Sequence, residues 1–206
     1  MTATVGFSVT GRAMRELRDA AITVAGADTW DAILATLTDA ARAGFDAADG
    51  ALIDERHWVE ALHVGHARIE GDHALARTLG RARAEAVLAG DGAVFTGDPL
   101  RFLRVGASLY YKDRANYGAS LCEMAPRKAV VRFVASPGTT LKRGTSPNES
   151  PFVIAAFLEH AASTLAESPQ PCRYLGHTPR ADQQFGQQVF NQLFEFELES
   201  DEEEKR

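Results

Sequence analysis

The chain has 206 residues, 45% apolar and 24% charged, a balance that excludes wholesale disorder and supplies enough chain for a core without disulfide or metal staples. Net charge is −6, but residues 195–206 hold seven acids and two bases, so the remaining 194 residues carry 21 acids and 20 bases. Such a near-neutral body lacks the basic footprint that binding a phosphate backbone requires, and no apolar run approaches the roughly 18 residues of a spanning helix.

In chain order, Val5, Phe7 and Val9 alternate with small residues and are compatible with a short strand. Thr10 is placed to cap a first helix carrying Ala13, Leu17, Ala20, Ala21 and Val24, with Gly26 as its stop. A second helix starts at Asp28 or Thr29 and carries the stripe Trp30, Ile33, Leu34, Leu37, Ala41 and Phe45. A third opens near Asp54, turns Trp58, Leu62, Gly65 and Ile69 to one side, and stops at Gly71. A fourth spans 74–89, with Leu75, Leu79, Ala82, Ala86 and Val87 inward. Asp98-Pro99 opens a fifth, reaching about Lys112.

Residues 117–123 and 130–134 then read as strands of an antiparallel hairpin across the turn at 125–128. A polar stretch at 138–149 reads as a loop. Ser150-Pro151 opens a sixth helix through Leu165, and residues 172–176 and 188–198 supply two final strands around a Gln-rich loop at 183–188. Helices first and strands later imply an α+β class, a helical half followed by a single antiparallel sheet. The expected organisation is one domain over 1–198 and a disordered acidic tail at 199–206.

The chemistry-bearing residues are few. Glu60-x-x-His63 has the form used in carboxylate-bridged di-iron bundles, but no second copy accompanies it. Of the three histidines at 57, 63 and 66, only His66 borders the apolar face, while His57 and Glu60 are expected to face water. Cys122 and Cys172 lie in no C-x-x-C pattern and fit buried thiols in a reducing compartment. With no Gly-x-Ser-x-Gly elbow and no phosphate loop, no catalytic residue and no metal ligand are assigned, and no enzyme is expected. Tyr110 and Tyr111, followed by Lys112 and Arg114, stand where a helix hands over to a strand. Two readings stay open there: aromatic packing with cations on the helix dipole, or the mouth of a pocket. In the second, Trp58, Leu62, His66, Tyr110 and Tyr111 line a site for a small apolar ligand.

The element order, with the segment 27–34 (ADTWDAIL), the run Gly97-Asp98-Pro99-Leu100 leading to 119–133, and 151–165 followed by strands ending Phe194-Glu195-Phe196, resembles a myxobacterial paralogous family of about 200 residues. That family is distantly similar to 4-vinyl-reductase-type and heme NO-binding (H-NOX) sensor domains. The resemblance implies a sensory or scaffolding role. H-NOX domains carry Tyr-x-Ser-x-Arg against the heme propionates; the nearest string here is Tyr110-Tyr111-Lys112-Asp113-Arg114, with Lys112 for the serine. The cysteine-rich zinc site of 4-vinyl-reductase-type domains is reduced here to Cys172. Heme on His66 is set aside because Gly65 is beside it and Arg68 and Glu70 follow, so no cofactor and a colourless protein are expected. The expected function is a cytoplasmic, non-catalytic signalling domain binding a small molecule, or alternatively a protein-interaction module without a ligand. Nucleic acid and membrane are excluded as partners, and a homodimer is compatible with either.

Overall fold

The computed structural model describes residues 8–71, 73–112, 114–115, 119–125, 128–134, 151–182 and 187–197. The tail at 199–206, the loop at 138–149 and most of the Gln-rich loop lie outside the described residues. Strand β1 (Ser8–Thr10) runs into α1 (Gly11–Ala25), where Thr10 Oγ1 accepts from Ala13 N at 3.3 Å. Helices α2 (Ala27–Leu34) and α3 (Asp39–Phe45), strand β2 (Leu52–Asp54), α4 (Glu55–Arg68) and α5 (Ala74–Leu88) complete the helical half. The segment Asp91–Phe95 is a 3-10 turn, and α6 (Pro99–Arg101) passes into a π turn at Phe102–Gly106 and a 3-10 turn at Ala107–Tyr111. Then follow β3 (Arg114–Ala115), β4 (Ala119–Ala125), β5 (Lys128–Val134), α7 (Pro151–Ala166), β6 (Cys172–Asp182) and β7 (Gln187–Glu197).

The α+β class and the antiparallel sheet stand: β4-β5-β7-β6 form one four-stranded antiparallel sheet. A small three-stranded sheet, β2-β1-β3, ties the start of the chain to the end of the helical half. Along β5, Ala129, Val131 and Phe133 turn inward beside Phe194 and Phe196 of β7, all at most 2% exposed, the period-2 pattern of a sheet with one face covered. No helix among the described residues is long and apolar enough to cross a membrane.

Two expectations need correction. The second helix is two, because Thr38 starts a new one: its Oγ1 accepts from Ala41 N, and Glu60 accepts from Thr38 N at 2.7 Å and Oγ1 at 2.9 Å. Glu60 therefore holds the α3 cap rather than simply facing water. In α5, Ala82 and Ala86 are exposed and Arg83 is buried, so the inward face carries Ala76, Leu79, Gly80, Arg83 and Val87. Glu195 lies on β7, within the last strand expected from the sequence: it accepts from Arg173 and from Lys128 Nζ at 3.1 Å, and these two partners, Arg173 first, hold its carboxyl below the usual range.

Candidate functional site

The helix–sheet junction is built around Tyr110, which is wholly buried. Its ring lies 5.2 Å from Phe157 of α7, 5.9 Å from Phe133 of β5 and 5.4 Å from Tyr111. Phe102, also wholly buried, closes the layer against Phe157 at 6.0 Å. Edge-to-face contacts of this kind are favoured by ring quadrupoles and fix the rings relative to one another.

Behind the aromatic layer sits a buried charge. The Arg83 side chain is 4% exposed; Nε and Nη2 donate to Tyr110 O at 2.8 and 2.6 Å, and Nη1 to Glu16 Oε2 at 2.9 Å. One guanidinium thereby joins α1, α5 and the turn that carries Tyr110. Beside it is a pocket of about 30 Å³ lined by Arg12, Glu16, Arg83, Asp91 and Lys112 among others, room for about one water. Lys112 pairs with Asp91 at 2.7 Å, so its charge is spent on a surface ion pair.

His66 stands near the C-terminal end of α4, half-buried, with Nε2 shielded from solvent and without a hydrogen-bond partner. The ring of His73, at the cap of α5, lies 6.2 Å from that of His66 between centroids and stacks on Phe152 at 3.4 Å. The ring contacts continue through Tyr174 (6.5 Å), Phe194 (5.4 Å) and Phe133 (5.7 Å) to Tyr110. The structure thus links His66, Tyr110 and Tyr111, three of the five residues singled out from the sequence, in one aromatic network. Trp58 and Leu62 are core residues of α4, 1% and 0% exposed. His73, Arg83 and Glu16 are additions that the sequence reading missed. Cys122 and Cys172 are free and half-buried, and burial raises both thiols, which makes neither a ready nucleophile.

Burial pushes the His66 imidazole below its ordinary value of 6.5, and His73 and then His63 push it the same way. A histidine with a depressed folded pKa takes up its proton more readily in the unfolded chain, so its contribution to stability falls as pH drops below the unfolded value. In metal-free protein, melting temperature is expected to fall between about pH 7.5 and pH 5.5, and His66→Gln is expected to make that fall shallower. A melting-temperature profile identical in the two proteins contradicts this.

No family profile matches the chain, and no curated protein does. Solved structures do. An Fe(II) unliganded H-NOX protein from K. algicida, mutant A71G, superposes with a TM-score of 0.62 at 12% identity, over 92% of this chain and 97% of that one. An oxygen-binding H-NOX domain related to soluble guanylate cyclases, in its oxygen complex, gives 0.59 at 10% identity over 93% and 95%. A structure concerned with heme redox potential and porphyrin distortion gives 0.60 at 11% identity over 92% and 99%. The chain therefore has the H-NOX fold. These neighbours overturn the expectation that no cofactor enters the account, because the structures that share this architecture are described by their ferrous iron, heme and bound oxygen.

The residues present can be set against a heme. His66 supplies the required donor, a buried imidazole nitrogen that nothing else occupies. The layer around Tyr110 is packed shut by Phe102, Phe133 and Phe157 and lies several ring contacts away from His66, so it offers a porphyrin no opening.

Proposed function

We propose that the chain is a non-catalytic sensory domain on an H-NOX scaffold, with heme as its candidate cofactor and His66 as the residue that holds it. The observation carrying this reading is the unpartnered, buried Nε2 of His66 within a fold shared over nine-tenths of the chain with H-NOX proteins. Heme supplies, when bound, an iron that can take a diatomic gas. Trp58 and Leu62 give the apolar wall of α4, and Tyr110 and Tyr111 couple the helical half to the sheet through Phe133. Kinship with the myxobacterial paralogous family and the 4-vinyl-reductase-type domains, and a cytoplasmic location, belong to the same proposal and rest on element order and cysteine usage.

Hemin titration followed by absorbance tests the reading. A Soret band saturating near one equivalent is expected, lost in His66→Ala while the far-UV dichroism stays that of the wild type. A wild-type protein that develops no band, or a band indifferent to His66→Ala, overturns it.

A protein-interaction role is the second reading. It is supported by β4, an edge strand of the four-stranded sheet on which Leu121 is 54% and Met124 43% exposed. If that edge recruits a partner, Leu121→Lys abolishes the association seen by light scattering; a monodisperse wild-type monomer that captures nothing removes this reading.

A further inference from the structure

We propose that His66 and His73 form a two-histidine clamp for a divalent transition-metal ion of the Zn²⁺, Ni²⁺ and Cu²⁺ class, at the corner where α4 meets α5. Three independent observations converge there. Nε2 of His66 is shielded and accepts no hydrogen bond. The His73 and His66 rings lie 6.2 Å apart between centroids, nearly perpendicular at 81°. With metal–imidazole bonds of about 2.0–2.1 Å and a little over 1 Å from each nitrogen to its ring centre, two rings on one ion have centroids about 5.2 Å apart at a tetrahedral angle and about 6.4 Å apart at a straight one, so the observed separation falls within the reach of one ion.

The third observation is how firmly His73 is held. Its backbone is left-handed, φ 57° and ψ 30°, one of two described non-glycine residues with positive φ, and its ring is stacked on Phe152. A conformation that costs energy locally and is fixed by a neighbouring ring is the kind found where a side chain must be presented in one direction. Among the described residues no third His, Cys, Asp or Glu closes the coordination sphere. Water would have to fill the remaining positions, and borderline nitrogen donors suit these three ions rather than Mg²⁺ or Ca²⁺.

The clamp shares the His66 imidazole with the heme reading and is measured without hemin, so the failure of either leaves the other standing. The experiment is calorimetric titration of the full chain with ZnCl₂ and with NiCl₂, in wild type, His66→Gln, His73→Asn and His57→Ala. Asparagine tolerates the left-handed backbone at 73 and so preserves the corner. One equivalent bound with micromolar affinity is expected, weakened at least about tenfold in His66→Gln and in His73→Asn and unchanged in His57→Ala. Binding only in the millimolar range, or affinity equal in wild type and both clamp variants, overturns the proposal. Far-UV dichroism of each variant separates lost ligation from lost fold.

Discussion

Gly80→Leu is expected to destabilise the protein by about 3 kcal/mol or more, lowering its melting temperature by about 6–12 °C at roughly 2–4 °C per kcal/mol for a chain of this size. Gly80 lies where α5 crosses α7 at backbone distance. A Cβ there would overlap the Val153 carbonyl oxygen and stand 2.8 Å from Ala156 Cβ and 2.9 Å from Phe157 N. Two of those three atoms are main chain, so no rotamer change relieves the clash, and α7 has to move away from α5. Leucine is among the better helix formers, so helix propensity cannot account for such a loss. Ala82→Leu, on the exposed face of the same helix, is the control and is expected to change stability by less than about 0.5 kcal/mol. Thermal denaturation of the three proteins decides the matter. Equal losses at 80 and 82 would mean that the face of α5 has been assigned wrongly.

The second large effect is expected at Arg83. Removing one member of a buried, hydrogen-bonded ion pair costs about 3–5 kcal/mol, because the partner stays behind without its counter-charge. In Arg83→Ala the Tyr110 carbonyl loses two donors and the Glu16 carboxylate loses its buried partner, leaving Arg12 at 3.3 Å. Melting temperature should fall by about 6–20 °C. Arg83→Met keeps much of the aliphatic stem and isolates the electrostatic part. In the double variant Arg83→Met/Glu16→Leu the orphaned carboxylate is gone, and part of the loss is expected to return. If Arg83→Met and the double variant melt together, Glu16 is not the group left exposed, and the role of Arg83 reduces to its bonds with Tyr110 O.

Arg83 also shows where the sequence was legible and where it was not. The caps at Thr10, Asp54 and Asp98 could be read directly, because a small polar side chain ahead of an apolar run has one common use. The hairpin of β4 and β5 and the last two strands could be read from alternation and β-branched content. Hydrophobic periodicity cannot place an arginine inside, so the inward face of α5 was read onto Ala82 and Ala86. Leu79, Arg83 and Val87 do recur at steps of four, and that phase was the available signal. The break at Thr38 was masked because Leu37 and Ala41 continue the apolar stripe across it. The cap depends on Glu60, 22 residues away, a contact that no local pattern announces.

At the candidate site, His66 was found from its place on the border of an apolar face, and Tyr110 and Tyr111 from their position at a helix-to-strand junction. His73 was not found, since it follows Gly71 at the mouth of a helix and carries no periodic neighbour. Its meaning comes from tertiary placement alone, against His66 on one side and Phe152 on the other.

A heme held by His66 would lie against α4 and, through the stack of His73 on Phe152, against the start of α7. Hydrogen exchange of the full chain with and without one equivalent of hemin measures this most directly, because local opening reports on the segments that must part. Altered protection is expected in Glu55–Arg68 and in Pro151–Ala166, with the outer edge of β6 unchanged. Protection identical in both segments, or a change confined to the outer face of the sheet, would contradict it.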